Sequence, residues 1–252
     1  MTGNNAILLL HGYSGSPFEM EFLQKGLQDA GFAAFVPTLP GHNGNFTEFL
    51  QTRFCDWLEK CEQEFVRLQK KFPRVAVVGY SMGGTLALHL AARKNRQPSA
   101  VVCISAPIDF EVWKIWRQVS RRFAFLPILR WICPDLQTSL PKRQSREIAP
   151  WRGYEGKIAL QPLYSLMQGV RQTRKMLAGM YAPLLVLHGE RDRLVAPENA
   201  WKILQKSRAR NKRLELLQLK EVVTSGHTLP THRECKEIIL QRIIDFLREN
   251  MK

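Results

Sequence analysis

At 252 residues, 45% of them hydrophobic, the chain can bury the core of one α/β domain, yet it holds no apolar run long enough to span a bilayer. Thirty-seven Lys and Arg against 22 Asp and Glu leave a net charge of +15, which bears on partners and solubility rather than on fold. The five cysteines (Cys55, Cys61, Cys103, Cys133 and Cys235) are odd in number, scattered and without a C-x-x-C pair. That excludes a disulfide framework or zinc ribbon and predicts reduced thiols in a cytoplasmic protein.

The start, MTGNNAILLLHG, has no basic n-region and reaches its first apolar run at once, so it does not read as a signal peptide. That run, from Ala6, lacks alternation, as expected of a strand buried on both faces. FEMEFLQKGLQDAG, 18–31, places apolar residues at helical spacing and ends on Gly31 as a plausible cap. FAAFVPTLPGHNG, 32–44, is a second strand running into a Pro/Gly loop. The amphipathic helix 56–72 stops at Pro73. RVAVVG from Arg74 is the third strand, 82–95 a helix, and SAVVCISAP from Ser99 the fourth strand. From about Ile108 to Tyr181 no convincing strand is found, and Trp, Phe, Arg and Lys dominate. Alternation then resumes with a strand at 182–192, a helix at 197–207, a strand at 212–220 and a last helix at 233–250. The prediction is one α/β domain over 1–252, a mostly parallel sheet of about six strands flanked by helices, with a helical cap insertion at about 108–181.

One motif has the context that its chemistry requires. Gly79-Tyr80-Ser81-Met82-Gly83 is G-x-S-x-G between a predicted strand and a predicted helix. A turn that tight needs small residues two positions either side of the serine, and it lifts the hydroxyl above the sheet edge. The helix N-terminus aims backbone N–H groups at the same place.

A serine hydroxyl is a weak nucleophile and needs a base held by an acid. In open α/β sheets the reacting groups gather at the carboxyl ends of strands. His227, soon after the last strand in VVTSGHTLP, is the favoured base, with His232 as its rival. His11 and His188 read as backbone orienters, His42 lies in a loop, and His89 falls inside a helix. For the acid, Asp192 in the GERD turn has a better setting than Asp109, and Glu190 is weaker. Ser81, Asp192 and His227 stand in the chain order of the α/β-hydrolases.

The segments LLLHGYSGSP, PTLPGHNG, GYSMGG, LVLHGERDRLVAPENA and SGH occur in order along nearly the whole chain. With them the chain resembles the α/β-hydrolases, and among these the small bacterial carboxylesterases and monoacylglycerol lipases. The resemblance implies an oxyanion hole formed by the backbone N–H groups of Tyr13 and Met82. It implies an acyl-enzyme mechanism on a small acyl ester, with no cofactor and no metal. Little chain precedes AILLLHG, so the family's N-terminal hairpin is expected to be reduced.

The cap segment FEVWKIWRQVSRRFAFLPILRWICP carries Trp113, Trp116, Phe123 and Phe125 among many basic residues. These four are candidates for an acyl pocket, and the basic surface for transient contact with an anionic membrane. No nucleic-acid motif accompanies the charge, so no specific nucleic acid is expected. The alternatives are a thioesterase or other acyl-transfer hydrolase, or a non-catalytic basic module that keeps the fold. Oligomeric state is not legible.

Overall fold

The computed structural model describes residues 5–93, 97–109 and 126–252. Strands β1 (Asn5–Leu10), β2 (Ala33–Phe35), β3 (Arg74–Tyr80), β4 (Val101–Ile104), β7 (Leu184–Gly189) and β8 (Lys212–Leu217) form one sheet in the order β2-β1-β3-β4-β7-β8. Every pairing in it is parallel, with Leu10 beside Gly79, Tyr80 beside Ile104 and Ile104 beside Leu187.

The unalternating strands are explained by two cores. Leu8, Leu10, Val75, Val77, Val101, Cys103 and Val186 face one side, and Ile7, Leu9, Val78, Tyr80, Val102, Ile104 and Leu187 face the other. Helices α3 (Phe54–Gln69) and α4 (Met82–Ala92) cover the first side, with α8 (Glu198–Lys206). Helices α1 (Phe18–Asp29) and α9 (Lys236–Asn250) cover the second. A strand apolar on both faces has no polar side to alternate with. The short α2 (Phe46–Gln51), which sequence patterning passes over, starts where the Asn45 side chain accepts from the N–H groups of Thr47 and Glu48.

The described part of the stretch between β4 and β7 holds α5 (Leu126–Ile132), β5 (Asp135–Gln137), α6 (Arg143–Ile148), β6 (Lys157–Ala159) and α7 (Leu160–Met176). The expectation of no strand here is corrected: β5 and β6 pair antiparallel, Asp135 beside Ala159. Three-residue strands held by backbone pairing leave almost no side-chain pattern to read. Helix α7 packs its Leu166 and Val170 into the first core, so the last part of the insertion belongs to the sheet's own layer. Among the described residues no helix is long and apolar enough to cross a membrane.

Candidate active site

β3 runs straight into α4, and Ser81 is the residue between them, at φ 52° and ψ −118°. Few non-glycine residues adopt that backbone, and its strain is held by the packing around it. The flanking glycines have steric causes. A Cβ on Gly79 would stand 2.1 Å from the carbonyl oxygen of Gly83, and one on Gly83 would stand 2.1 Å from that of Leu10. The first turn of α4 is thus pressed against the end of β1, at Leu10 and His11.

His227 follows β8 in a loop turned by Gly226 at φ 71°. A Cβ on Gly189, at the end of β7, would meet the Gly226 carbonyl at 2.3 Å, so the two loops close on each other. The His227 Nε2 lies 3.0 Å from Ser81 Oγ, and its Nδ1 lies 2.7 Å from Asp192 Oδ2. The ring is buried and leans on Tyr80, centroid to centroid 5.3 Å.

Asp192 is fixed from the other side. Its Oδ1 accepts from the N–H groups of Leu194 at 2.8 Å and Val195 at 2.9 Å. Burial alone would raise its pKa, but its pairing with His227 and the hydrogen bonds from His188 and His227 hold the carboxyl well below the ordinary range. With Nδ1–H spent on that carboxylate, His227 Nε2 is left as an acceptor facing the serine hydroxyl. This is the arrangement that activates a nucleophile.

His11 orders the loop after β1. Its Nε2 accepts from the Leu39 N–H at 3.2 Å, which leaves Nδ1–H to donate to the Gly12 carbonyl at 3.1 Å. Burial, and then the nearby His42, lower its pKa to about 3, so the ring stays neutral. The Gly12 carbonyl belongs to the same planar peptide as the Tyr13 N–H, so that N–H is aimed by the histidine.

The other candidates lie elsewhere. His232 Nε2 is 3.4 Å from Thr224 Oγ1 and 3.6 Å from Glu221. The Asp109 carboxylate is engaged by Lys202 and Arg174, each at 2.8 Å. Glu190 is exposed. His42 Nδ1 contacts the Pro40 carbonyl at 3.0 Å, and His89 Nδ1 contacts Thr173 Oγ1 at 2.8 Å. His188 bonds the Val195 carbonyl at 2.9 Å and reaches Asp192 Oδ2 at 3.4 Å, a second imidazole that the sequence reading did not connect to the acid. Trp113, Trp116, Phe123 and Phe125 lie outside the described residues.

Sequence reasoning also missed a strap, residues 148–154. The Pro150 carbonyl accepts from Thr231 Oγ1 at 2.6 Å, and the Ile148 carbonyl from the Arg233 N–H at 2.9 Å. The Tyr154 N–H donates to the Ser14 carbonyl at 2.9 Å, and Ser16 Oγ to the Arg152 carbonyl at 2.9 Å. One segment therefore braces the Tyr13 loop and the His227 loop together. Its bonds are mostly to backbone, which carries no sequence signal.

A family model described as serine aminopeptidase, S33, matches residues 3–219. Over 248 residues the chain is 26% identical to a thermostable monoacylglycerol lipase of Bacillus sp. (strain H-257), covering 98% of this chain and 92% of that protein. It is 22% identical, over 98% of this chain and 94% of the other, to a carboxylesterase of Bacillus subtilis (strain 168). A solved structure from work on LipS and LipT, two metagenome-derived lipolytic enzymes, superposes with a TM-score of 0.83 at 23% identity, covering 99% of this chain and 95% of that one.

Proposed function

The chain belongs to the serine aminopeptidase, S33, family of α/β-hydrolases, and from that membership we propose a serine carboxylic-ester hydrolase of the carboxylesterase or monoacylglycerol-lipase type. The observation that carries the reading is the unbroken relay from Ser81 Oγ through His227 to Asp192, at 3.0 and 2.7 Å. The full-length similarity to a monoacylglycerol lipase and a carboxylesterase favours an oxygen ester over a peptide bond.

Ser81 Oγ attacks the ester carbonyl while His227 takes its proton, and Asp192 stabilises the imidazolium that forms. The tetrahedral oxyanion is held by the N–H groups of Tyr13 and Met82, each worth on the order of 3 kcal/mol to the transition state. His227 then protonates the departing alcohol. Water, deprotonated by the same ring, releases the acid and restores Ser81. The chain is read as one domain, with residues 148–154 of the insertion bonded to both site loops. All five cysteines are free thiols, which supports a reducing, cytoplasmic setting.

The docking surface is part of the same proposal. Ile128, Trp131 and Ile132 on α5 stand out into solvent, and the Arg130 guanidinium lies 4.6 Å from the Trp131 ring. Exposed Lys142, Arg143 and Arg146 follow on the same insertion. Arg143 and Arg146 pair with Glu147 and Glu155, so the exposed apolar side chains beside Arg130, together with the net positive charge, are what suit the interface of an anionic bilayer.

The test is hydrolysis of a chain-length series of p-nitrophenyl and monoacylglycerol esters by the purified chain. Ser81→Ala or His227→Ala should each lower kcat roughly 10⁶-fold and Asp192→Asn about 10⁴-fold. A serine-directed phosphonate should label Ser81. Full activity in Ser81→Ala, or an adduct mapped to Ser14 or Ser16, would refute the assignment.

A further inference from the structure

Glu19 is an acid with no place in the relay, yet it is 1% exposed. It sits in the first turn of α1, directly under the loop after β1. Its Oε2 accepts from the Gly12 N–H at 2.7 Å, and its Oε1 from the Trp151 indole N–H at 2.5 Å. Gly15 leaves room for the carboxyl, since a Cβ there would stand 2.4 Å from Oε2. Above the loop the strap presses down: a Cβ on Gly153 would meet the Ser14 carbonyl at 2.1 Å. Tyr80, which leans on His227, closes the remaining side, 3.1 Å from where a Gly12 Cβ would be.

We propose that Glu19 is a positioning residue that sets the Tyr13 oxyanion donor and joins it to the strap through Trp151. This rests on the reading of Tyr13 as a donor. Two consecutive peptide planes are involved. Glu19 holds the His11–Gly12 plane by its N–H, and His11 holds the Gly12–Tyr13 plane by its carbonyl. With both planes fixed, the Tyr13 N–H has one direction, and an oxyanion donor acts only where it is already aimed. The carboxylate that Glu19 becomes above about pH 8 suits the place because it accepts from two N–H donors at once. A carboxamide of the same shape accepts from one and turns its own N–H₂ toward the other.

That asymmetry gives the experiment. At pH 9, where Glu19 is ionised, Glu19→Gln, Trp151→Phe and the double variant are compared with wild type for kcat and KM on p-nitrophenyl butyrate, and for affinity toward a trifluoromethyl ketone, which forms an oxyanion on the serine. Glu19→Gln should lower kcat about 10- to 100-fold with KM within about twofold. The ketone should weaken by the same factor as kcat/KM. Trp151→Phe removes the competing donor, so the double variant should regain most of the kcat that Glu19→Gln loses. A wild-type kcat in Glu19→Gln, or a double variant slower than either single one, would overturn the proposal. In wild type the Gly12 amide proton should be shifted downfield and protected from exchange. Exchange at the rate of an open loop would overturn the proposal even if Glu19→Gln does not fold. A wild-type protein inert toward every ester, with that amide still protected, would instead refute the esterase reading.

Discussion

Single residues in this molecule keep their roles through protonation as much as through shape. Burial lowers His11 to about 3, His42 to about 4 and His89 to about 4, and His232 shifts the same way. Each takes up a proton on unfolding below its ordinary value of 6.5, so the stability tied to it is complete above 6.5 and drains as pH falls toward 4. Glu19 has the opposite sign. Burial raises it from 4.5 to about 8 against the pull of its two N–H partners, so its contribution is complete below 4.5 and lost as pH rises to 8. Between 4.5 and 6.5 several imidazoles oppose one carboxyl and win, whereas between 6.5 and 8 Glu19 titrates without them. The thermal midpoint should therefore peak near pH 6.5, falling steeply toward 4.5 and gently toward 8. Calorimetry across that range checks this, and Glu19→Gln should flatten the alkaline limb alone. Ser81 and its two glycines were legible because steric need leaves one residue type at each position. Glu19 was not, because an acid in the first turn of a helix is an ordinary partner for the helix dipole and nothing in its spacing marks it as buried.

The same contrast holds for whole elements. Strands β1, β3, β4 and β7 were legible as apolar runs because both their faces are covered, and α3 because its apolar stripe includes Trp57, Phe65 and Leu68. The six-residue α2 and the three-residue β5 and β6 escaped, being too short for a period. Helix α7 is where insertion and core meet. The Phe54 N–H of α3 donates to Ser165 Oγ at 2.8 Å, and the Phe54 ring lies where a Gly169 Cβ would come within 2.3 Å of it. Gly169→Ala should gain about 1 kcal/mol in helix propensity and lose about 1–3 kcal/mol by overpacking that ring. The net effect should be a midpoint lower by roughly 2–4 °C per kcal/mol lost. A higher midpoint in a melting experiment would mean that Phe54 yields and the α3–α7 contact is loose.

The charge of +15 acts on the scale of the whole molecule. Each cation near an anionic surface is worth about 1 kcal/mol, and the attraction decays over about 8 Å at physiological salt. Cosedimentation with vesicles should rise with the fraction of anionic lipid and fall steeply as salt increases. Hydrolysis of a short water-soluble ester should respond little to the same salt. Equal, weak binding to anionic and neutral vesicles at low salt would leave α5 and its basic neighbours as plain solvated surface. Net charge was legible from composition, but the outward placement of Trp131 was not, because α5 is too short to declare which of its faces is covered.

The relay joins Ser81 to a histidine 146 positions further along the chain. On a ribosome that gap is time, roughly 7 to 30 s at ordinary elongation rates. Throughout it the serine already exists, but the residue that would arm it has not been made. β8 must also emerge and dock on β7 before His227 can swing over the elbow. On the proposed function, a nascent chain therefore carries Ser81 without its base until the His227 loop has been made and β8 has docked.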